Sequence, residues 1–407
     1  MSYLQKQKSS LKIQQDLFMS AAAPSVKHIV IIGGGPAGLT AAIAIKSSLA
    51  AAQFDVMILD HKLPFEKPCG GGITAKTLHA FPFLTGLQHL AVTTNQFSFE
   101  SGHGLRCEVE SLEALTIVSR KDLGAFLLEK ALALGVRHYK EKAMRLGHDG
   151  KKAFVQTDHG AHAADVLIGA DGAQGASRRL FGVRSFEKNR AAGLGFYVEG
   201  IAGSKAVIKF LPRKHGYLWV FPRPTHASVG FFAVAGEVSR GECERIIKTY
   251  LDEHYPGVKL DPAKTYSATI PLIFEWHKEQ FTGTVHQTPF ALAGDAAGFA
   301  DPITGEGIYY AFKSGAMLAE AICTGDILKY KQRCEAEIIP ELQKSARLFP
   351  KFYRTHFIDL MVLLSRRSRS VQRVMSDLIT GTQSYLTLKS RLKSLAPKIL
   401  REMLFGG

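Results

Sequence analysis

The feature that most constrains this chain is a run of apolar residues that ends in a glycine-rich turn. Residues 28–32 (HIVII) read as a buried strand and are followed at once by GGGPAG, in which Gly33, Gly35 and Gly38 keep the spacing GxGxxG. An alanine-rich stretch typical of a helix comes next, and a second apolar strand ends at Asp60. This order predicts the first unit of a Rossmann-like parallel sheet.

The same turn predicts a dinucleotide site. Glycines at these positions allow a tight turn and a close approach of the backbone to a pyrophosphate, and the N-terminus of the helix offers N–H groups to the phosphates. Asp60 lies where an acid accepts a hydrogen bond from the adenosine ribose, and its charge disfavours a 2′-phosphate. The alternative is a strand, turn and helix that bind nothing.

A second glycine-rich segment decides which dinucleotide is expected. Residues 289–315 (PFALAGDAAGFADPITGEGIYYAFKSG) read as a strand, a Gly294-Asp295 turn and a helix that begins near Gly307. A carboxylate at a second strand end, facing a second helix N-terminus, requires a cofactor as long as FAD. Asp295 would accept hydrogen bonds from the ribityl hydroxyls, and the helix would direct its positive end at the flavin. The alternative is an aspartate that caps an ordinary helix.

Two weaker signals lie between these segments. Arg120 stands at the start of an amphipathic helix, where it could reach a phosphate, although an arginine in this position is usually only solvated. Another apolar strand ends at Asp171-Gly172. Their order along the chain agrees with a FAD site that includes Asp171.

This order of motifs resembles that of FAD-dependent oxidoreductases of the aromatic-hydroxylase type. Within that group, KPCGGGIT, GYLWVFPR and GDAAGFADPITGEGIYYAFKSG are similar to the geranylgeranyl reductase family, whose members show a K-x-C-G-G loop and a Y-x-W-x-F-P strand. The resemblance covers about residues 27–325. It implies a Rossmann-like FAD-binding domain with an inserted antiparallel-sheet substrate domain and helices at the C-terminus.

The resemblance also implies FAD contacts that spacing alone does not single out. Met144 would contribute only its backbone, near the adenine, whereas Gly307 and Ile308 would donate N–H groups to the flavin ring. The residues added to the FAD site in this way are Ala37, Cys69, Gly70, Gly72, Met144, Gly307 and Ile308.

Residues 66–76 (EKPCGGGITAK) place a lone thiol beside three glycines. Glycines have no side chain to hold a backbone away from a flat cofactor, so the run fits a loop pressed against the flavin. Cys69 would then act as a proton donor or a steric gate. The alternative is that Cys69 is a small buried apolar residue, as most free cysteines are.

The strand GYLWVFPR alternates so that Tyr217, Trp219 and Phe221 share one face, with Phe231 or Phe232 nearby. An aromatic face beside a flavin predicts an apolar substrate cavity, to which Pro302 is also assigned. The alternative is that these rings only fill the core between a sheet and helices.

The function implied is reduction of isolated C=C bonds in a geranylgeranyl or polyprenyl lipid. Reduced flavin would supply a hydride, and Cys69, Tyr217 or a water molecule would supply the proton. Because no second GxGxxG unit follows a strand, NAD(P)H is expected to bind transiently, or a small redox protein to deliver electrons. The alternatives are a flavin monooxygenase or halogenase that acts on an aromatic, polyketide or peptide substrate, and a flavoprotein that serves as an assembly or carrier partner.

The domain organisation expected is an N-terminal extension (1–26), a discontinuous FAD-binding domain (27–185 and 286–330), a substrate-binding domain (186–285) and a basic helical region (331–407). Five cysteines without CxxC spacing indicate a reducing compartment and no metal site. The polar first 26 residues lack the apolar core of a signal peptide. A cytoplasmic protein is therefore expected.

The net charge of +15 is concentrated at the C-terminal end. Residues 351–407 hold eleven Lys and Arg against three acidic residues, interleaved with apolar segments such as FIDLMVLL. This pattern favours an anionic membrane surface, peripherally on the inner face. The alternatives are a solvated helical face packed on the protein and a protein-docking surface. No nucleic-acid motif accompanies the basic residues.

Overall fold

The computed structural model describes residues 26–150, 152–186, 190–276 and 280–405. The predicted N-terminal extension lies outside the described residues, except for Val26. Strands and helices are interspersed as far as Cys323, and the rest of the described chain is almost wholly helical.

The strands are numbered in chain order: β1 (Lys27–Ile32), β2 (Phe54–Leu59), β3 (Gly72–Ile73), β4 (Ala91–Glu100), β5 (Arg106–Val118), β6 (Arg137–Tyr139), β7 (Ala143–His148), β8 (Ala153–Thr157), β9 (Ala161–Ala164), β10 (Val166–Gly169), β11 (Arg190–Val198), β12 (Ala206–Phe210), β13 (Gly216–Pro222), β14 (Ala227–Val234), β15 (Thr265–Pro271), β16 (Thr282–Val285) and β17 (Thr288–Leu292).

The α-helices are numbered in the same way: α1 (Pro36–Lys46), α2 (Ala75–Ala80), α3 (Arg120–Ala133), α4 (Ser177–Leu180), α5 (Arg240–His254), α6 (Ile308–Cys323), α7 (Leu328–Glu337), α8 (Ile339–Phe352), α9 (Thr355–Ser365), α10 (Arg369–Ile379) and α11 (Tyr385–Phe405).

The first sheet has the order β16-β17-β10-β1-β2-β6. Its strands are parallel except for the β16–β17 pair. Helix α1 packs on β2 and against α6, and β1 also contacts β9 of a small β7-β8-β9 sheet. Because β1 is covered in this way, its apolar residues form a continuous run. The carboxyl ends of β1, β2, β10 and β17 therefore meet at one edge.

The second sheet has the order β15-β11-β14-β13-β12-β4-β5-β3 and is antiparallel except for the β12–β4 pair. Side chains of β13 alternate between its two faces. Leu218 and Val220 pack with α5, whereas Trp219 packs in a different cluster that includes residues of the C-terminal helices. The fold class implied by the sequence, a parallel sheet joined to an antiparallel sheet with C-terminal helices, is confirmed.

The structure divides the chain between the sheets differently from the predicted ranges. Strands β3, β4 and β5 lie within 27–185, the range assigned to the FAD-binding domain, but they belong to the antiparallel sheet. The reason is a long-range pairing: β4 lies beside β12, with Phe99 opposite Ile208. Strand alternation reveals the strands in a sequence but not their partners more than a hundred residues away.

The C-terminal helices pack against one face of the antiparallel sheet. Phe349, Tyr353 and Val362 join Phe99 and Ile208 in a single buried cluster. In α11, the buried carboxylate of Glu402 accepts hydrogen bonds from residues at the start of α10, namely Ser368 Oγ and Ser370 N and Oγ. Among the helices of the described ranges, none combines the length and apolarity that crossing a bilayer requires.

We expect Gly230→Ala to lower the free energy of unfolding by about 1–3 kcal/mol, because overpacking a core displaces side chains. Gly230 stands opposite Trp219 across the β13–β14 pair, and a Cβ atom there would lie 2.2 Å from the indole ring. Urea unfolding followed by far-ultraviolet circular dichroism measures the change.

The control is Gly241→Ala in α5, where a Cβ atom would meet nothing within 4 Å. Alanine favours a helix over glycine by up to about 1 kcal/mol, so this variant should be as stable as the wild type or more stable. Equal stability of the Gly230→Ala variant and the wild type would contradict the packing argument.

Candidate functional site

A cavity of about 800 Å³ lies between the carboxyl edge of the parallel sheet and the antiparallel sheet. In chain order, the residues that line it run from Ile32, at the end of β1, to Ile379 in α10. The lining residues come from both sheets and from the starts of α1, α3 and α6. The structure thus brings together most of the residues that the sequence singled out.

The glycine turn after β1 forms one end of the cavity. Gly33 has a φ of +103°, and a Cβ atom there would lie 2.5 Å from the backbone of Ala170 and Asp171. Gly38 lies against Gly33 and does not line the cavity itself. Helix α1 follows Gly35 without a side-chain cap, so its first N–H groups are available to a ligand.

Asp60 directly follows β2 and lines the cavity beside this turn. Its Oδ2 accepts a hydrogen bond from Gly34 N at 2.8 Å, and its Oδ1 accepts one from Lys62 N at 2.9 Å. These two bonds hold the carboxylate in place and leave it further acceptor capacity for a ribose hydroxyl.

Arg120, the first residue of α3, also lines the cavity and is only 9% exposed. Its Nε is buried without a hydrogen-bond partner among the described residues. A buried N–H without a partner is costly, and the rest of the Arg120 guanidinium brings a positive charge to the cavity wall. An anionic group such as a diphosphate fits this position.

Glu66 does not line the cavity, but it supports the site in a way that the sequence did not reveal. Its carboxylate accepts hydrogen bonds from Ser119 Oγ at 2.5 Å, Lys121 N at 3.0 Å and Arg223 Nη1 at 2.8 Å. Burial raises the pKa of Glu66, but the Arg223 charge and these hydrogen bonds outweigh it, so the net pKa is lowered. No local signal predicts this contact, because Glu66 and Arg223 are brought together only by the fold.

Close packing explains the three glycines after Cys69. A Cβ atom at Gly70 would lie 2.7 Å from the Phe221 ring, and one at Gly71, whose φ is +83°, would lie 2.2 Å from the carbonyl oxygen of Val118. The Cys69 carbonyl accepts hydrogen bonds from Arg223 Nη2 at 3.0 Å and from a serine of β14. The loop is therefore held tightly against the antiparallel sheet, and its glycines serve close approach.

Asp295 and α6 form the second end of the polar part of the cavity, the first end being the glycine turn after β1. Asp295 Oδ2 pairs with Lys67 Nζ at 2.7 Å, and its Oδ1 lies 2.7 Å from the position of a Cβ atom at Gly307. Helix α6 begins at Ile308 without a side-chain cap. The cavity thus holds two uncapped helix N-termini, at α1 and α6, as a long cofactor with a diphosphate and a polar ring edge requires.

Three predicted site residues have other surroundings. Asp171 lines the cavity, but its carboxylate accepts hydrogen bonds from Ser177 N at 2.9 Å and from Ser177 Oγ, and burial raises its pKa. Met144 is 47% exposed, and its neighbour Ala143 lines the cavity in its place. Pro302 is buried beside the cavity without lining it. Their FAD and substrate contacts stay predictions.

The antiparallel sheet supplies the apolar end. Tyr217, Trp219 and Phe221 all line the cavity, as their alternation predicts, and Phe232 rather than Phe231 joins them. Tyr217 donates its hydroxyl hydrogen to the carbonyl of Thr304 at 2.5 Å, and burial raises its pKa. Trp219 donates to Ser228 Oγ at 3.2 Å. The Tyr217 hydroxyl and the Trp219 N–H are thus both hydrogen-bonded within the protein.

Glu306 is a site residue that the sequence analysis missed. It lines the cavity at the start of α6 and accepts a hydrogen bond from Thr74 Oγ1 at 2.8 Å. Burial raises its pKa to about 7, against a smaller opposite effect of the Lys76 charge. The local signal for this residue is the motif GEG, an acid between two glycines at the start of a helix.

A Rossmann-like sheet with two uncapped helix N-termini and a buried arginine around one cavity fits the site of a FAD-dependent oxidoreductase. Comparison with known families agrees. Residues 27–324 match the profile described as the FAD binding domain, and the chain belongs to that family.

Among proteins similar in sequence, an uncharacterised protein of Methanosarcina barkeri is 30% identical, over 80% of this chain and 83% of its own. The chloroplastic geranylgeranyl diphosphate reductase of Nicotiana tabacum is 24% identical, over 86% of this chain and 77% of its own.

Two solved structures share the fold. One is a geranylgeranyl bacteriochlorophyll reductase-like protein of Thermoplasma acidophilum, with a TM-score of 0.70, 18% identity, and coverage of 91% of this chain and 99% of its own. The other is a flavin-dependent brominase, with a TM-score of 0.69, 17% identity, and coverage of 91% and 100%.

We expect Arg120→Met to weaken FAD binding by roughly ten- to a hundredfold, because a charged hydrogen-bond donor contributes about 1.5–3 kcal/mol. Titration of FAD into the apo-protein, followed by quenching of flavin fluorescence, measures the affinity. Lys121→Met, on the same helical turn but exposed, removes the same charge and serves as the control. If both variants bind FAD equally well, Arg120 does not contact the cofactor.

Proposed function

We propose that the protein reduces isolated C=C bonds of a geranylgeranyl or other polyprenyl lipid. The observation that carries the proposal is the continuity of the cavity, which joins the residues that fit FAD to an aromatic end formed by Tyr217, Trp219, Phe221 and Phe232. A long hydrocarbon needs such an apolar wall with few polar groups. The reductases named among the relatives add support.

FAD would be held by the glycine turn, Asp60 and Arg120 at its adenine and diphosphate end, and by Asp295 and the start of α6 at its flavin end. When bound and reduced, it supplies a hydride. The chain's own side chains would keep the reacting carbon dry, because the rings of β13 and the Cys69 loop packed on them line the cavity together. Cys69 and Tyr217 remain candidates for the proton donor.

A halogenase on the same scaffold is the nearest rival, because the brominase shares this fold. A flavin halogenase would need a lysine in the tunnel between flavin and substrate. Among the described residues that line the cavity, the lysines are Lys62, Lys67 and Lys142, and none belongs to the aromatic end. Lys67 is paired with Asp295. These positions favour the reductase.

The C-terminal helices suggest where a lipid substrate comes from. Exposed apolar side chains on α9 and α11 lie among the basic residues of this region, including Phe357, Leu360, Leu363, Leu386, Leu400, Leu404 and Phe405. Phe352 and Ile379, in α8 and α10, line the aromatic end of the cavity. We therefore propose that this face rests on an anionic membrane surface. The electron donor, NAD(P)H or a small redox protein, stays a prediction.

Anaerobic incubation with dithionite and geranylgeranyl diphosphate should yield products heavier by the mass of two hydrogens for each bond reduced, as read by mass spectrometry. FAD-stripped protein is the control and should leave the substrate unchanged. A parallel reaction with bromide, oxygen and an aromatic acceptor tests the rival. Brominated product together with unreacted prenyl substrate would reject the reductase.

Leu400→Ser combined with Leu404→Ser should weaken binding to anionic liposomes by roughly tenfold or more, because burial of each leucine contributes about 1.5–3 kcal/mol. Co-sedimentation with phosphatidylserine vesicles measures binding. The control is Leu112→Ser, an equally exposed leucine on β5. Wild-type protein that stays in the supernatant at low salt would contradict the membrane proposal.

A further inference from the structure

We infer that Glu306 is the acid that protonates the alkene carbon in the proposed reduction. The inference rests on the proposed function and replaces Cys69 and Tyr217, the two side chains that the sequence suggested besides a water molecule. It follows from where Glu306 lies, what its carboxyl group contacts and which charges face it.

Glu306 lies where the two parts of the cavity meet. It directly precedes Gly307, beside Asp295 at the flavin end, and directly follows Gly305. A Cβ atom at Gly305 would lie 3.2 Å from the ring of Phe232, at the aromatic end. A proton donor for an alkene must be within reach of both cofactor and substrate, and this position meets that requirement.

The contacts of the carboxyl group hold it in place and leave it able to donate. Within the described residues, Thr74 is the hydrogen-bond partner of the Glu306 side chain, through Oε1. Thr74 immediately precedes α2, and its hydroxyl also contacts Thr77 Oγ1 at 2.9 Å. Oε1 is thereby oriented by a neutral hydroxyl, so the protonated carboxyl can turn its O–H towards the cavity.

The charges around Glu306 favour a proton that can be exchanged near neutral pH. Burial raises the pKa to about 7, Lys76 of α2 lowers it in part, and the carboxylate of Asp301 raises it. The Lys76 ammonium lies 3.9 Å from the ring centre of Tyr309, and burial lowers its own pKa. Tyr310 also faces this cluster and stays neutral, because burial raises its pKa.

Of the two earlier side-chain candidates for the proton donor, Tyr217 is less suited to the role and Cys69 is the competitor. The hydroxyl hydrogen of Tyr217 is already given to the Thr304 carbonyl, and the raised pKa makes it a poor acid. Cys69 Sγ accepts a hydrogen bond from Gly71 N at 3.3 Å. Cys69 is thus the main competitor, and the test must separate it from Glu306.

The proposed reduction adds a hydride and a proton to the two carbons of the alkene. One alkene carbon gains a hydride, which brings both electrons from the reduced cofactor, and the other gains the Glu306 proton. The π bond is lost, two C–H bonds form, and the carboxylate regains a proton from water. NAD(P)H or a small redox protein restores the reduced cofactor, and dithionite takes that role in the test.

The test uses single-turnover kinetics of the FAD-loaded protein. Wild type and Glu306→Gln are reduced with dithionite, freed of excess reductant without oxygen, and mixed with geranylgeranyl diphosphate while flavin absorbance is followed. We expect the variant to be slower by roughly 10²-fold or more. The wild-type rate should fall as pH rises through about 7, because Glu306 then loses its proton, and the variant should lack this dependence.

The control is Glu335→Gln, an exposed residue of α7 that removes the same charge and should react like the wild type. Tyr217→Phe and Cys69→Ser are measured in parallel and should keep the pH dependence. A readout without FAD is the infrared spectrum of the apo-protein across the same pH range. A protonated carboxyl band that disappears on titration should be missing in Glu306→Gln.

The outcomes are distinct. Wild-type protein that does not react with the prenyl substrate overturns the proposed function and this inference together. A reactive wild type with an equally fast Glu306→Gln variant overturns only the inference. Loss of the reaction in Cys69→Ser alone would assign the proton to the thiol, and an apo-protein without the carboxyl band would show that Glu306 holds no proton to give.

Discussion

The Glu66 carboxylate holds the two sheets of this protein around one cavity. It follows β2 of the parallel sheet, accepts hydrogen bonds from the start of α3, and pairs with Arg223 at the end of β13 in the antiparallel sheet. The Arg223 side chain is only 1% exposed, so a missing partner would leave a buried charge, which is strongly destabilising. The position of the Cys69 loop depends on this pair, because Arg223 also binds the Cys69 carbonyl.

Close approach, rather than freedom of movement, is the common use of glycine around the cavity. Gly33 allows the turn after β1 to lie against the end of β10, and Gly70 allows the Cys69 loop to lie on the Phe221 ring. In each case a single methyl group would overlap neighbouring atoms. The cavity walls are therefore closely packed where a flat, extended cofactor must fit between them.

The two ends of the cavity differ in whether their polar groups have hydrogen-bond partners within the protein. At the FAD end, N–H groups of α1 and α6 and the Arg120 guanidinium are left without partners among the described residues, ready for a polar ligand. At the aromatic end, Tyr217 and Trp219 bond within the protein, which leaves an apolar wall. Glu306 stands between the two ends. This change from a polar to an apolar wall suits the proposed function, in which the cofactor lies at one end and a hydrocarbon at the other.

Local features of the sequence were enough to predict the Rossmann-like unit, the presence of Gly33, Asp60 and Asp295 around one cavity, and the shared face of Tyr217, Trp219 and Phe221. These features depend on glycine geometry and on strand alternation, which act over a few residues. Only the tertiary structure decided that β4 and β5 join the antiparallel sheet and that Glu66 meets Arg223. Such contacts are set by long-range packing, because strand partners and buried charges gain their energy from residues that the chain order does not reveal.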